Sequence, residues 1–399
     1  MPHPVDSPAT RPSRAAARAL VCFTALLAVP AVAAANEGTA GVFIRGDSDA
    51  TIVVSPRAAV QVDIEEETQV TASYMADVWT SASIDIRTAA TRPVGTRAEE
   101  DAPYQWITEQ RDQLDLSVSH QLGDVNLLGA YYYSGENDYW SHGFTLRATE
   151  ELFGKSTTLT QSLRYVHDIV GRSGDPNFEQ PLDTFGARLV WSQILSPDAI
   201  VQAVWEGMYR TGFQSSVYRF VGLGGNGMCG IDPENGELGT ASLCVPEAHP
   251  STRIRNAFVL QGRYAFSDDT SGGIGYRFYF DDWGIYSHTA IAQIAWVPAE
   301  NQSLTIRYRF YTQTAAGFYQ ARYDPPPGAQ IRYVTRDREL SPTFSNRLAF
   351  SYQGLAHLTE GVDLKVAFAV GGTAFVYPDF VGLDEVYALD GTLSFTLEL

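Results

Sequence analysis

The sequence is poor in lysine and in positive charge overall. Only two of its 28 basic residues are lysines, Lys155 and Lys365, and the formal net charge is −18 over 399 residues. Binding to the phosphate backbone of a nucleic acid needs clustered positive charge, so this balance excludes a nucleic acid as a partner. An acidic chain of this kind is compatible with a protein at a cell surface, whose exposed parts bind divalent cations or stay soluble.

Long apolar runs and helical periodicity are also scarce. After residue 36 no uninterrupted apolar run approaches the ~18 residues of a membrane-spanning helix. Instead, apolar or aromatic residues recur at every second position, most clearly between residues 271 and 311. A period of two predicts β-strands with one apolar face and one polar face.

The first 35 residues have the pattern of an export signal. Three arginines between residues 11 and 18 precede an apolar stretch over 19–32, and three alanines follow at 33–35. This order predicts a signal peptide that is cleaved before Asn36. An anchored helix is the alternative, but the apolar stretch is shorter than the ~20 residues that cross a bilayer.

The remaining chain is predicted to be all-β, with a short N-terminal periplasmic segment at 36–57 and a barrel at 58–399. The connections between the candidate strands are alternately short turns and long loops. The fourteen candidate strands lie at 60–80, 109–121, 125–134, 141–151, 156–168, 183–194, 199–211, 252–266, 271–281, 285–297, 302–313, 343–355, 362–374 and 384–399. The strand number becomes 16 if residues 57–65 and 69–80 form a separate pair.

One rim of tight turns and one rim of long loops is typical of a transmembrane, antiparallel, up-and-down β-barrel of the bacterial outer membrane. The alternating apolar residues from Leu393 to Leu399 fit a final barrel strand. A soluble β-protein with an aromatic core is the alternative, but it leaves the signal segment and the two unequal rims unexplained.

Cysteine is nearly absent as well. Cys22 falls in the signal segment, which leaves Cys229 and Cys244 in a glycine-rich stretch of the exported chain. An even pair in an oxidising compartment predicts a disulfide that fixes a loop. The acidic residues at 232–237 lack the spacing of a calcium loop, so we expect no metal and no cofactor.

The polar faces of the predicted strands are rich in arginine. If the apolar faces point to lipid, the arginines line the interior: Arg147, Arg164, Arg188, Arg210, Arg253, Arg255, Arg263, Arg277, Arg307, Arg309 and Arg347. The acids on the same faces are fewer: Asp115, Glu206, Asp281, Asp363 and Glu398. This pattern predicts either a water-filled conduit that prefers anions or a barrel filled by ion pairs.

Three motifs occur in order, in the segments FYFDDWGIYSHT (278–289), RYRFYTQTAAGFY (307–319) and TRDRELSP (335–342), after SGENDYWS (134–141). Together they resemble a bacterial family of outer-membrane β-barrels of unknown function. The resemblance implies location and fold but no reaction. The matching positions are Asp282, Trp283, His288, Tyr311, Gln313, Ala316, Phe318, Tyr319, Asp337, Leu340, Ser341 and Pro342.

We predict a polar site at the external mouth of the barrel, formed by Arg309, Tyr311, Gln313 and Asp281. The alternative is that these residues anchor a loop onto the barrel wall. The sequence has no nucleophile motif such as G-x-S-x-G, so we do not expect an enzyme. A porin-like channel for small solutes, with anions as one option, is the leading hypothesis, and a closed structural or surface-interaction barrel and a membrane hydrolase are the alternatives. The expected partners are outer-membrane lipid and the barrel assembly machinery, and the sequence does not define an oligomeric state.

Overall fold

The computed structural model describes residues 36–81, 107–230, 232, 237–326 and 330–399. The predicted signal peptide at 1–35 lies outside the described residues. Within the described part of the chain, no helix is both long enough and apolar enough to cross a membrane.

Strands account for most of the described residues. Their bounds are β1 Glu37–Asp47, β2 Thr51–Glu65, β3 Thr68–Ser81, β4 Ile107–Leu122, β5 Val125–Gly135, β6 Tyr139–Leu152, β7 Thr157–Val170, β8 Gln180–Ser196, β9 Ala199–Gly212, β10 Phe220–Leu223, β11 Leu243–Pro246, β12 Thr252–Ala265, β13 Thr270–Asp281, β14 Tyr286–Ala299, β15 Gln302–Gln313, β16 Thr343–Thr359, β17 Val362–Val376 and β18 Glu385–Glu398. A 3-10 turn, Arg338–Leu340, precedes β16.

Sixteen of these strands form one closed antiparallel barrel, which confirms the predicted fold class and the larger of the two predicted strand numbers. Each barrel strand pairs with its neighbours along the chain. β9 pairs with β12, because β10 and β11 form a separate two-stranded sheet in the loop between them. β1 and β18 close the barrel along an unbroken register from Glu37–Glu398 to Asp47–Ala388.

The structure overturns one prediction about the start of the chain and decides between two others. Residues 36–57 are not a segment outside the barrel, because they form β1 and the first half of β2. The predicted pair 57–65 and 69–80 is confirmed in place of a single strand 60–80, because a turn at 66–67 separates β2 from β3. The glycines and acids of this region suggest loose chain, but hydrogen bonding to β18 supplies order that local composition does not reveal.

The predicted inequality of the two rims is confirmed. On one rim, every turn between barrel strands is two to four residues long. The opposite rim carries the long connections 213–251 and 314–342, together with a few short ones such as 282–285. We call these two rims the turn rim and the loop rim.

The two faces of the barrel wall differ sharply in chemistry. On β12, Ile254, Phe258 and Leu260 point to one side and are about half exposed, whereas Arg253 and Ala257 point to the other side and are buried. Paired residues on neighbouring strands share a face. The continuous register therefore carries this division around the whole barrel, with the apolar side outward and the polar side inward.

A valine at Gly41 tests the closure between β1 and β18. A Cβ at Gly41 would lie 2.9 Å from the Leu393 carbonyl oxygen, whereas a Cβ at Gly38 on the same strand meets nothing within 4 Å. We expect Gly41→Val to lower the free energy of unfolding by about 1–3 kcal/mol through overpacking. Gly38→Val is the matched control and should leave it unchanged. Urea titration of the folded fraction measures the difference, and equal stability of the two variants would contradict this account of the seam.

Candidate functional site

The register places every arginine of the predicted interior set on the inward face of the barrel. Some of them are paired with carboxylates on the next strand of the barrel or on the one beyond it. Arg188 and Arg277 share Glu206, at 3.2 and 3.5 Å. Arg347 binds Asp390 through both nitrogens of its guanidinium end.

Arg253 pairs with Asp281. The remaining members of this set have no described carboxylate within 4 Å: Arg147, Arg164, Arg210, Arg255, Arg263, Arg307 and Arg309. Arg307 bonds instead to the Gln293 side chain, at 2.8 Å. Arg263 and Arg307 line a cavity of about 340 Å³ on the inner wall. The interior is therefore neither uniformly ion-paired nor apolar.

All five predicted interior acids also lie on the inward face. Sequence reasoning missed further inward acids, among them Asp77, Asp168 and Asp390. Asp77 pairs with Arg111 across β3 and β4, and it escaped notice because β3 was merged with β2. The arginines concentrate on the wall from β6 to β16, and most inward acids lie on β17, β18 and β1–β4.

Two long loops of the loop rim pack against each other. We call 213–251 and 314–342 together the loop cover. Isolated bridges join them at Leu223–Tyr323 and at Ala248–Val334. Val221, Tyr323 and Val334 form a buried apolar cluster between the two loops.

The Glu247 carboxylate is the polar centre of the loop cover, and its side chain is fully buried. It accepts hydrogen bonds from groups on both loops: Ser216 N (3.0 Å), Arg219 Nη1 (3.1 Å), Thr335 Oγ1 (2.6 Å) and Arg336 N (3.2 Å). Burial by itself raises the pKa of Glu247, but the His249 ring, 3.5 Å away, the charge of Arg219 and the Thr335 hydroxyl lower it to about 2. Glu247 is therefore ionised at neutral pH.

The loop cover is fixed to the rim on two sides. Tyr218 donates a hydrogen bond to Asp138 in the β5–β6 connection. On the other side, Arg338 pairs with the buried Asp49 in the β1–β2 turn at 2.7 Å, and Tyr319 donates to the Asp379 carbonyl at 2.6 Å. The cover therefore connects loops from well-separated strands.

Several family-motif residues attach the cover to the wall. The Trp283 indole donates to the Thr252 carbonyl at 2.8 Å, and its ring packs against Phe318. Asp282 accepts from the Ile254 backbone at 2.8 Å. Gly284, with φ +89, completes the tight turn that presents Trp283 to the cover.

The β15–β16 loop is held by the remaining motif positions. Gln313 donates to the carbonyls of Glu339 and Ser341, at 2.8 and 2.7 Å. Asp337 caps the 3-10 turn by accepting from the Glu339 amide. Leu340 is buried with Ala316 and Tyr319, and Ser341, which precedes Pro342, is fully buried. His288 is different, because it lies on the outward face and bonds to Tyr276.

The predicted mouth site is assembled only in part. Tyr311 and Gln313 line a cavity of about 360 Å³ beneath the cover. Arg309 stacks on the Tyr311 ring and is not among the described residues that line this cavity, and Asp281 is occupied by Arg253 at 2.9 Å. The anchoring role and a polar cavity therefore coexist at this mouth.

The predicted disulfide is present between Cys229 and Cys244, with a Cα–Cα distance of 5.8 Å. It closes a loop within 213–251 and so stiffens one half of the cover.

Glu109, Glu136 and Asp138 form an acidic group whose ligand atoms lie within 4.8 Å of one another. Burial and the charges of Asp138 and Asp77 raise the pKa of Glu136, against the lowering effect of Arg111.

Acid should loosen the loop cover through Glu247. Because the pKa of Glu247 is lowered from 4.5 to about 2, its stabilising effect is complete above pH 4.5 and declines as the pH falls toward 2. We expect Glu247→Gln to cost about 3 kcal/mol of local stability at pH 7, because Arg219 and the other donors lose a charged partner. Hydrogen exchange in 213–251 and 314–342, corrected for intrinsic rates, should therefore rise at least about 100-fold.

Asp268→Asn on the turn rim is the matched control for this experiment, since Asp268 is an exposed acid far from the cover in the fold. Unchanged protection in Glu247→Gln would show that the cover does not depend on this carboxylate.

Comparison with solved structures finds barrels at low identity. A structure described as "Bacterial polysaccharide outer membrane secretin" is similar over 91% of this chain and 99% of its own, with 8% identity and a TM-score of 0.49. OccK5 (OpdH) of Pseudomonas aeruginosa is similar over 91% and 97%, with 6% identity and a TM-score of 0.42. The toluene transporter TodX of Pseudomonas putida is similar over 94% and 93%, with 7% identity and a TM-score of 0.36.

No curated protein matches the chain significantly by sequence. One family model does match, over residues 14–181 and 177–370, and its description is "Protein of unknown function (DUF3570)". These two segments cover most of the chain, including the motifs at 278–289, 307–319 and 335–342. The protein therefore belongs to the DUF3570 family of proteins of unknown function, and its resemblance to a family without an assigned function is confirmed.

Proposed function

We propose that the protein is an outer-membrane channel of the porin type, which conducts small solutes and prefers anions. The observation that carries the proposal is the row of inward arginines without carboxylate partners on the wall from β6 to β16. Barrels of 16 strands are wide enough to hold an aqueous channel. Cationic side chains along such a channel lower the electrostatic cost of an anion inside it.

The outward face supports an outer-membrane location. Large side chains such as Leu146 and Leu389, 67% and 71% exposed, stand on this face, where lipid would cover them. Toward the loop rim the same face carries tyrosine hydroxyls bonded to polar neighbours, as in Tyr131–His142, Tyr276–His288 and Tyr308–Asn346. Tyrosines with one apolar end and one hydrogen-bonded end suit the boundary between acyl chains and headgroups.

We place the loop rim outside the cell and the turn rim in the periplasm, which is the usual arrangement in these barrels. On this proposal the partners are outer-membrane lipid and the barrel assembly machinery. The same proposal includes a cleaved signal peptide at 1–35. It also states that the protein is not an enzyme, which hydrolysis of an ester or peptide by the purified barrel would refute.

The second candidate function is a closed barrel that presents a surface. It is favoured by the buried contacts that join the two halves of the loop cover, especially the Glu247 centre and the cluster of Val221, Tyr323 and Val334. A cover that never opens would leave the inner arginines without a route for solutes. The two candidates differ in conductance, which is directly measurable.

Reversing the charge of two inward arginines should change ion selectivity. In planar bilayers with a salt gradient, we expect the unmodified barrel to give a reversal potential of anion-selective sign. The double variant Arg307→Glu and Arg309→Glu should shift it toward cation selectivity, because both side chains face the lumen. Arg332→Glu is the control, since Arg332 lies exposed in the loop cover. Conductance with a selectivity that the double variant does not change would refute the proposed role of the inward arginines.

Loosening the cover should increase the conductance. If the cover restricts the mouth, Glu247→Gln should raise single-channel conductance at least about twofold at pH 7, because a buried carboxylate that joins both loops is lost. Asp268→Asn should conduct like the unmodified protein. A barrel that conducts in neither form supports the closed alternative.

A further inference from the structure

The cavity of about 360 Å³ beneath the loop cover has an unusual concentration of guanidinium groups. Its floor is the inward face of the barrel at the loop rim, and its roof includes the 3-10 turn Arg338–Leu340. Four arginines line it, from three adjacent strands: Arg210, Arg253, Arg255 and Arg277. Arg253 and Arg210 stand directly opposite each other in the β9–β12 register.

Two of these arginines already have a carboxylate partner. Arg253 binds Asp281 through Nε at 2.9 Å, and Asp281 also accepts from the Tyr279 hydroxyl at 2.7 Å. Arg277 lies 3.5 Å from Glu206, which it shares with Arg188. Some of their donors are therefore already used by carboxylates of the protein.

Arg210 and Arg255 are different. Neither has a described carboxylate within 4 Å, and the Nε atom of each is buried without a hydrogen-bond partner among the described residues. One terminal nitrogen of Arg255 approaches only the Met208 sulfur, at 4.0 Å. A buried donor without a partner destabilises the fold, and two like charges on adjacent strands add repulsion.

A small oxyanion would remove both costs. A guanidinium presents parallel N–H donors that match the two oxygens of a carboxylate or phosphate, and two such groups on one wall can share one anion. The cavity volume lies near the lower end of the ~300–1,000 Å³ range for small-molecule sites. Tyr311 and the amide of Gln214 line the same space and offer further polar contacts.

Two acids of the roof also line the cavity, and they determine how strongly an anion can bind. Asp337 is held by Arg219 at 3.3 Å. Glu339 reaches the cavity without a described ion-pair partner. Burial and the charge of Asp337 raise the pKa of Glu339, whereas Arg338, Arg219 and Arg255 lower it. Because Glu339 and Arg255 line the same cavity, an ionised Glu339 opposes the binding of an anion there.

We propose that Arg210 and Arg255 form a binding site for a small oxyanion, either a carboxylate or a phosphate, beneath the loop cover. This inference deepens the proposed channel function and rests on it for the route by which the anion enters. The solute is held at the mouth before it passes the arginines farther along the wall. Glu339 weakens the site and so permits release.

Calorimetric titration of the folded barrel in detergent, at low ionic strength and pH 7, tests the site without any conductance measurement. Inorganic phosphate and succinate are titrated separately, which distinguishes a phosphate site from a carboxylate site. We expect at least one of them to bind, with an affinity at least tenfold weaker in Arg255→Gln and in Arg210→Gln. Glu339→Gln should tighten binding several-fold, since it removes the competing charge.

Arg307→Gln is the matched control, because Arg307 is an unpaired inward arginine that lines a different cavity. It should change the affinity less than twofold. If Arg255→Gln fails to give a heat-modifiable folded band, Arg255→Lys replaces it in the titration. Arg255→Lys keeps the charge but loses the paired N–H donors of the guanidinium group, so it should bind the anion at least about threefold more weakly. Absence of binding to the unmodified barrel, or equal weakening by Arg307→Gln and the cavity variants, would overturn the site. A barrel that binds the anion but does not conduct would refute the channel and leave the site intact.

Discussion

The closed ladder of backbone hydrogen bonds determines which side chains face the inside of the barrel and which face the outside. Because β1 pairs with β18, no strand edge is left over among the sixteen, and the register is fixed around the full circle. Side chains alternate between the two faces with a period of two. Once Ile306 points outward, Arg307 must therefore point inward, and the same holds for the strands on either side. Closure of the barrel and the alternation of side chains along each strand together determine which residues line the interior.

The wall and the loop cover are built on different physical principles. The wall depends on backbone pairing and carries polar side chains on its inner face. The cover has few backbone pairs of its own and depends on a buried carboxylate, two apolar clusters and a disulfide. Many of the motif residues that define the family resemblance, including Trp283, Gln313 and Ser341, hold the cover to the wall.

This division explains how much the sequence could reveal. Alternation in Leu304, Ile306 and Tyr308 fixed the faces of β15, and turn residues such as Gly123 located the turn rim. β1 was missed because Gly38, Gly41 and Gly46 weaken its alternation, and its pairing with β18 joins residues that are 341 to 361 positions apart in the chain, from Asp47–Ala388 to Glu37–Glu398. Long-range pairing of that kind leaves no local pattern.

The structure of the cover was beyond sequence reasoning for a related reason. Nothing in the sequence near Glu247 indicates its role, because its partners Thr335 and Arg336 lie on the other loop. The motif match singled out Gln313 and Asp337 without giving their roles, and the sequence left a site and an anchor as alternatives. Geometry assigns them mainly to anchoring, and it identifies Arg210 and Arg255 as two inward arginines of the wall whose Nε donors lack partners among the described residues.

The central proposal is the orientation of the wall in a membrane, with apolar side chains toward lipid and arginines toward water. Single cysteines introduced by Ile306→Cys and Arg307→Cys in the barrel, reconstituted in lipid bilayers, test it most directly, because these two adjacent positions lie on opposite faces. A charged, water-soluble maleimide should label position 307 readily and position 306 hardly at all, whereas a fluorophore at 306 should be quenched by brominated lipid. Labelling at 306 together with lipid quenching at 307 would contradict the account.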